Sequence, residues 1–199
     1  MIEVDDSRVI RTKKSLREAL LKLMSKHNLD DVRVKNICTL AGVNRGTFYK
    51  HYDDKYALFD DYLSKLVSEV ESIGGKCLRY DSENDIHTTL IDLYMLFSVQ
   101  IMKYFVKNSD ILKGVVVNNK ESLANFMFTN RMEKAYNDFL NRMRPVVKFE
   151  IPADVISMFC ISGLIHLVMY WLETGQIKDI EKNTISIRTI LQHNLYIQK

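Results

Sequence analysis

The chain has 199 residues, room for one large domain or two small ones, and 47% hydrophobic, 27% charged and 10% aromatic residues, which excludes a disordered or low-complexity protein. Seven Gly and two Pro are too few to punctuate a sheet-rich chain, so long helices are expected. The net charge is only +3, but residues 8–55 hold twelve Lys/Arg against five Asp/Glu, leaving −4 on the remainder. A basic segment on an acidic body suggests one module that binds a polyanion.

Apolar residues at Leu16, Ala19, Leu20, Leu23 and Met24 lie on one helical face and predict a first helix from Thr12 to about His27. After the turn Asn28-Leu-Asp-Asp, Val34, Ile37, Cys38 and Ala41 repeat the spacing in a short second helix, and Gly42 suits the left-handed residue that ends it. Asn44 can cap a third helix, Arg45 to His51, by accepting a bond from the Thr47 amide. Asp53-Asp54 can start a fourth, whose apolar face runs from Leu58 to Ile73 before Gly74-Gly75 breaks the pattern.

A polar linker, residues 81–85, precedes a long helix carrying Leu90 to Phe105. A short helix after Ser109 ends near Asn118, and another runs from Lys120 to Arg144, limited by Pro145. Pro152 and Gly175 bracket the next helix, and a last one spans Ile180–Tyr196. No strand and no internal repeat is evident. Val155–Leu172 is uncharged and just long enough to span a membrane, but it lacks basic anchors and carries Ser157, Ser162, Gly163 and His166. Burial between two subunits is the expected role, with no membrane partner.

Cys38, Cys77 and Cys160 are far apart and odd in number, so neither a metal site nor a disulfide framework follows. The acidic start of the chain has no apolar run of the signal-peptide kind, and a cytoplasmic protein is expected. No phosphate-cradling Gly loop, paired-His metal helix or nucleophile elbow is present. An enzyme is therefore not expected, nor is a cofactor or a metal.

The strongest signal is Val34–Leu40, Ala41-Gly42-Val43, Asn44–His51: two short helices joined by a tight turn, the form that offers its second helix to the DNA major groove. That second helix bears Arg45, Gly46, Thr47, Tyr49, Lys50 and His51, donors for phosphates and base edges, with no carboxylate. Phe48 and Tyr52 would anchor it to the core. Gly46, costly inside a helix by about 1 kcal/mol, would let the backbone approach DNA closely.

On Val34-Lys-Asn-Ile37, Ala41-Gly-Val-Asn-Arg-Gly-Thr-Phe-Tyr-Lys-His-Tyr52, Lys55 and Leu58, residues 11–59 resemble the N-terminal domain of the TetR family of bacterial transcriptional regulators. The resemblance implies an all-α homodimer. A helix-turn-helix DNA-binding domain would occupy residues 1–54, and a helical ligand-binding and dimerisation domain residues 55–199, with 55–75 as connecting helix. It implies that Tyr49, His51 and Lys55 hold phosphates, while Arg45, Gly46, Thr47 and Lys50 face the groove of a palindromic double-stranded operator beside the capping Asn44. Thr12 is a further phosphate candidate. Two positions depart from the family pattern. Arg33 stands where Thr or Ser usually caps the second helix; either that helix start is weaker or Arg33 is a further phosphate contact, and it is counted among the DNA-binding candidates. Tyr52 replaces a Phe, and its hydroxyl needs a partner.

In the C-terminal region Gly163-Leu-Ile-His-Leu-Val-Met-Tyr-Trp-Leu-Glu-Thr-Gly175 looks like the penultimate helix of some TetR-type regulators, one of a pair that forms the dimer contact. Gly163, Leu167, Tyr170, Leu191 and Leu195 are the expected interface. Tyr94, Phe97, Ile101, Met127, Tyr136 and Phe139 are expected to enclose an apolar pocket, with Tyr94, Tyr136 and His166 as candidate orienting groups and Met158 and Phe159 among other residues that could line it. The function expected is that of a repressor released from its operator by a small apolar effector. The alternative is a helical adaptor or coactivator whose C-terminal domain binds another protein.

Overall fold

The computed structural model describes residues 3–77, 90–144 and 149–192, and every regular element among them is helical. Helix α1 (Glu3–Met24) is followed by a 3-10 turn at Leu29–Asp31, α2 (Val34–Ala41), α3 (Arg45–Tyr49) and α4 (Lys55–Cys77). Then come α5 (Leu90–Lys107), α6 (Ser109–Leu112), a π-type turn at Lys113–Val117, α7 (Leu123–Met143), α8 (Ala153–Glu173), a 3-10 turn at Gln176–Lys178 and α9 (Ile180–Gln192).

Two boundaries differ from the sequence reading. Helix α1 begins before Thr12, because its polar first turns carry no apolar stripe from which a start could be read. Helix α4 continues through Gly74-Gly75, since a glycine weakens a helix by only about 1 kcal/mol and does not by itself end one. The linker at 81–85, Pro145 and the end of the last helix lie outside the described residues.

Contacts divide the chain into two compact units. The first is Met1–Leu66 together with Asp110–Phe128; the second is Val67–Ser109 with Thr129–Lys199. In the first unit Leu16, Leu20 and Met24 of α1, Ile37 of α2, Phe48 of α3 and Leu58, Phe59 and Leu63 of α4 are fully buried, joined by Leu112, Val116 and Phe128. In the second unit α5 packs on α8 and α9. Tyr94 donates its hydroxyl hydrogen to the Cys160 carbonyl at 2.9 Å and meets Tyr136 edge to face, while Tyr136 stacks on Phe139. Burial pushes the Cys160 thiol up to about 11, so it behaves as a small apolar residue.

Helix α8 is apolar along its whole length, and half of its charge-free stretch is buried inside the chain. Ile156, Cys160, Leu164, Val168 and Trp171 face inward. Val155, Met158, Phe159, Gly163, His166 and Tyr170 form the opposite, exposed stripe, spaced by three and four residues.

Candidate nucleic-acid interface

The turn between α2 and α3 is built as the sequence demands. Gly42 adopts φ 69°, a conformation strained for residues with a Cβ, and its amide closes the end of α2 on Cys38 and Thr39 carbonyls. Asn44 then stops the chain in extended geometry, and its Oδ1 accepts the Thr47 amide at 2.7 Å. The cap fixes where α3 begins, and therefore which side chains it exposes.

Phe48 is fully buried and holds α3 down, touching Tyr49 edge to face at 5.3 Å and Tyr52 at 5.9 Å. Arg45, Gly46, Tyr49 and Lys50 consequently point outward, while Thr47 and His51 are half-buried. The Arg45 guanidinium lies 5.9 Å from the centre of the Tyr49 ring, a cation–π contact that restrains both groups. A Cβ at Gly46 would lie 3.3 Å from Asn44 Oδ1, so a larger residue there disturbs the cap as well as the exposed face.

Arg33 is exposed at the start of α2 and makes no side-chain cap, leaving its guanidinium available to an anion. Thr12 is on α1 and donates its hydroxyl hydrogen to the Arg8 carbonyl at 2.9 Å. Lys55 donates from Nζ to the carbonyls of Asp30 at 2.6 Å and Val32 at 3.0 Å, which ties α4 to the turn before α2. Tyr56 reinforces this tie by donating to Asp30 Oδ1 at 2.9 Å.

The Tyr52 hydroxyl has a partner that sequence reasoning missed. It donates to Asp61 Oδ2 at 2.8 Å, and the Arg17 guanidinium pairs with the same oxygen. Lys13 lies 5.6 Å from the Tyr52 ring centre. One carboxylate thus joins α1, the end of the recognition segment and α4. Burial pushes the Asp61 carboxyl up, but the hydrogen bonds from Tyr52 and Arg17 outweigh it and hold the group below its ordinary value of 3.8. A depressed carboxyl stabilises the fold above the unfolded-state value, and this contribution is lost as pH falls through the folded value. Asp61→Asn should therefore cost about 1–2 kcal/mol near neutrality, the scale of a part-exposed bond to a charged group. Thermal melts of both proteins should converge as pH drops below about 4; a gap that persists there would remove the charge from the explanation.

The C-terminal candidates separate. Tyr94, Tyr136, Phe139 and Ile101 are buried in the second unit, whereas Met127 belongs to the first and is half-buried. The Phe97 side chain lies outside the described residues. His166 is on the exposed stripe of α8, its Nδ1 within 2.7 Å of the Ser162 carbonyl, rather than among the buried rings. Met158 and Phe159, named as possible lining residues, are likewise exposed, at 54% and 78%. Of the interface candidates, Gly163 and Tyr170 are exposed and Leu167 and Leu191 half-buried, and Leu195 lies outside the described residues.

Comparison with known proteins agrees with this geometry. Residues 16–62 match the model for bacterial regulatory proteins of the tetR family, and residues 92–193 match a transcriptional regulator C-terminal region. A TetR transcriptional regulator from Streptococcus agalactiae is 23% identical with a TM-score of 0.61, over 94% of this chain and 99% of that one. A TetR-family protein from Syntrophomonas wolfei is 14% identical with a TM-score of 0.73, covering 94% and 98%. FadR from Bacillus subtilis, in complex with stearoyl-CoA, is 12% identical with a TM-score of 0.64, covering 92% and 99%. At these identities the solved structures establish the fold.

Proposed function

The chain belongs to the TetR family of bacterial transcriptional regulators, and we propose that it is a cytoplasmic homodimeric repressor, released from a palindromic operator by a small apolar effector. The observation that carries the DNA reading is α3 itself, which offers Arg45, Tyr49 and Lys50 outward from a buried Phe48 with no carboxylate among Arg45–Tyr52. Two such helices, related by a two-fold axis, would enter successive major grooves about one helical turn apart. Lys55 has three donors and spends two on carbonyls, so the third is the one assigned to a phosphate.

The exposed stripe of α8 is assigned to the dimer contact, together with the exposed Ile185 and Ile190 of α9. An isologous interface presents the same apolar face from both subunits. The effector is assigned to the region of Tyr94, Tyr136 and Phe139, where rings rather than charges dominate. FadR of this fold is in complex with stearoyl-CoA, which joins a long acyl chain to a phosphorylated nucleotide, and the acyl part is the chemistry assigned to the effector here. Effector binding releases DNA only by favouring a dimer geometry that misplaces the two recognition helices.

Selection of bound fragments from the source genome tests the reading, and a single palindrome is expected. On a panel of altered operators, Tyr49→Phe should weaken every sequence alike, because phosphate contacts position without specifying. Lys50→Ala should instead change base preference, by about 1–3 kcal/mol at the position it reads. A uniform loss for Lys50→Ala would move that residue to the backbone. Sedimentation as a monomer would favour the adaptor reading, with the α8 stripe left for another protein.

A further inference from the structure

The first unit is completed by residues far along the chain. The π-type turn at Lys113–Val117 and the residues after it cross the end of α1 and the turn before α2. The crossing is backbone on backbone: a Cβ at Gly114 would lie 2.4 Å from Ser25 Cα and 2.9 Å from Ser25 N. No residue but glycine fits without moving one of the two segments. Asn118 donates from Nδ2 to the Ser25 carbonyl at 3.0 Å. Asn119 is wholly buried; its Oδ1 accepts the Leu29 amide at 2.7 Å, and its Nδ2 donates to the Gly114 carbonyl at 2.8 Å. One side chain therefore fixes both strands of the crossing.

Leu29 begins the 3-10 turn whose Asp30 and whose following Val32 supply the two carbonyls that seat Lys55. Arg33 and α2 follow directly. We infer that Asn119 is a positioning residue for DNA binding, setting the Leu29–Val32 turn and through it the seat of Lys55 and the start of α2. The inference rests on the DNA-binding reading above. It assigns a role in operator affinity to a residue outside the 16–62 match, contributed by the C-terminal region. A buried carboxamide bonded at both ends has one orientation, so it holds the turn more narrowly than apolar packing would.

The test uses the full chain and an operator fragment retained by the wild type. Asn119→Ala should weaken operator binding about tenfold, with the dimer intact by sedimentation. Amide exchange in residues 25–33 should quicken, because the Leu29 amide loses its acceptor. The double variant Asn119→Ala/Lys55→Ala should bind nearly as well as Lys55→Ala alone, since both substitutions act on one turn. General loosening of the fold would make the two losses multiply instead. If Asn119→Ala does not fold, Asn118→Ala on the exposed side of the crossing should give a smaller loss in the same direction, about twofold to threefold. Wild-type affinity in the folded variant, or multiplying losses with unchanged exchange in 25–33, would overturn the inference. Failure of the wild type to bind any DNA would strike the DNA-binding reading instead, and the exchange measurement would still decide whether Asn119 holds the turn.

Discussion

Phe159→Asp should convert the proposed dimer to monomers and abolish operator binding with it. Phe159 is the most exposed large apolar residue described, at 78%, in the middle of the α8 stripe. Two-fold symmetry places every substitution in an isologous interface twice. A central aromatic there commonly contributes about 2 kcal/mol or more, so two copies would weaken association by roughly a thousandfold. The buried, unpaired carboxylate adds to that cost. Leu191→Asp should act in the same direction but less, because Leu191 is half-buried within its own chain. Sedimentation velocity across a concentration series measures the shift. A Phe159→Asp protein that remains a dimer would assign the subunit contact to another surface, and retained operator binding would separate dimerisation from DNA recognition.

Phe48→Ala should lose operator binding for a different reason. Phe48 is fully buried, and its ring supports both Tyr49 and Tyr52. Truncating a buried Phe costs about 3–5 kcal/mol, a large share of the 5–15 kcal/mol that holds a typical domain together. Helix α3 has only five residues and no stability of its own, so it depends on that anchor. Urea unfolding should show the loss, and anisotropy titration should show no specific complex. The proposed dimer should survive, because the α8 stripe assigned to it belongs to the second unit. Phe48→Leu, which keeps most of the volume, should cost less than about 1.5 kcal/mol and retain binding. Equal damage from both substitutions would mean that ring geometry, rather than filled volume, carries the support.

The legible parts of this protein are those with local causes. Gly42 and the Asn44 cap on Thr47 follow from residues within a few positions of one another, so the helix–turn–helix and its outward face could be read directly. Helix α8 could not be oriented in the same way. Its residues are apolar on every side, so periodicity carries no phase, and Met158, Phe159 and His166 could be assigned inward as easily as outward. Asp61 reads as an ordinary solvated carboxylate until Arg17, 44 residues away, and Tyr52 are seen on one of its oxygens. Asn119 is separated from Leu29 by 90 residues, and an asparagine after a helix end reads locally as a turn residue. Such long-range partners are set by how the chain returns on itself, which no window along the sequence contains.

The crossing at Gly114 bears on how this regulator can be taken apart. A chimera that grafts residues 1–66 onto the body of a relative takes the first segment of this unit but leaves Asp110–Phe128 behind. The recipient's own segment would then have to cross where a Cβ would lie 2.4 Å from Ser25 Cα, and supply a carboxamide to the Leu29 amide. A recipient with any larger residue at the crossing would hold the grafted head in a shifted pose. Transfer of operator preference between such proteins therefore calls for two inserts, the head and the distant segment that closes it.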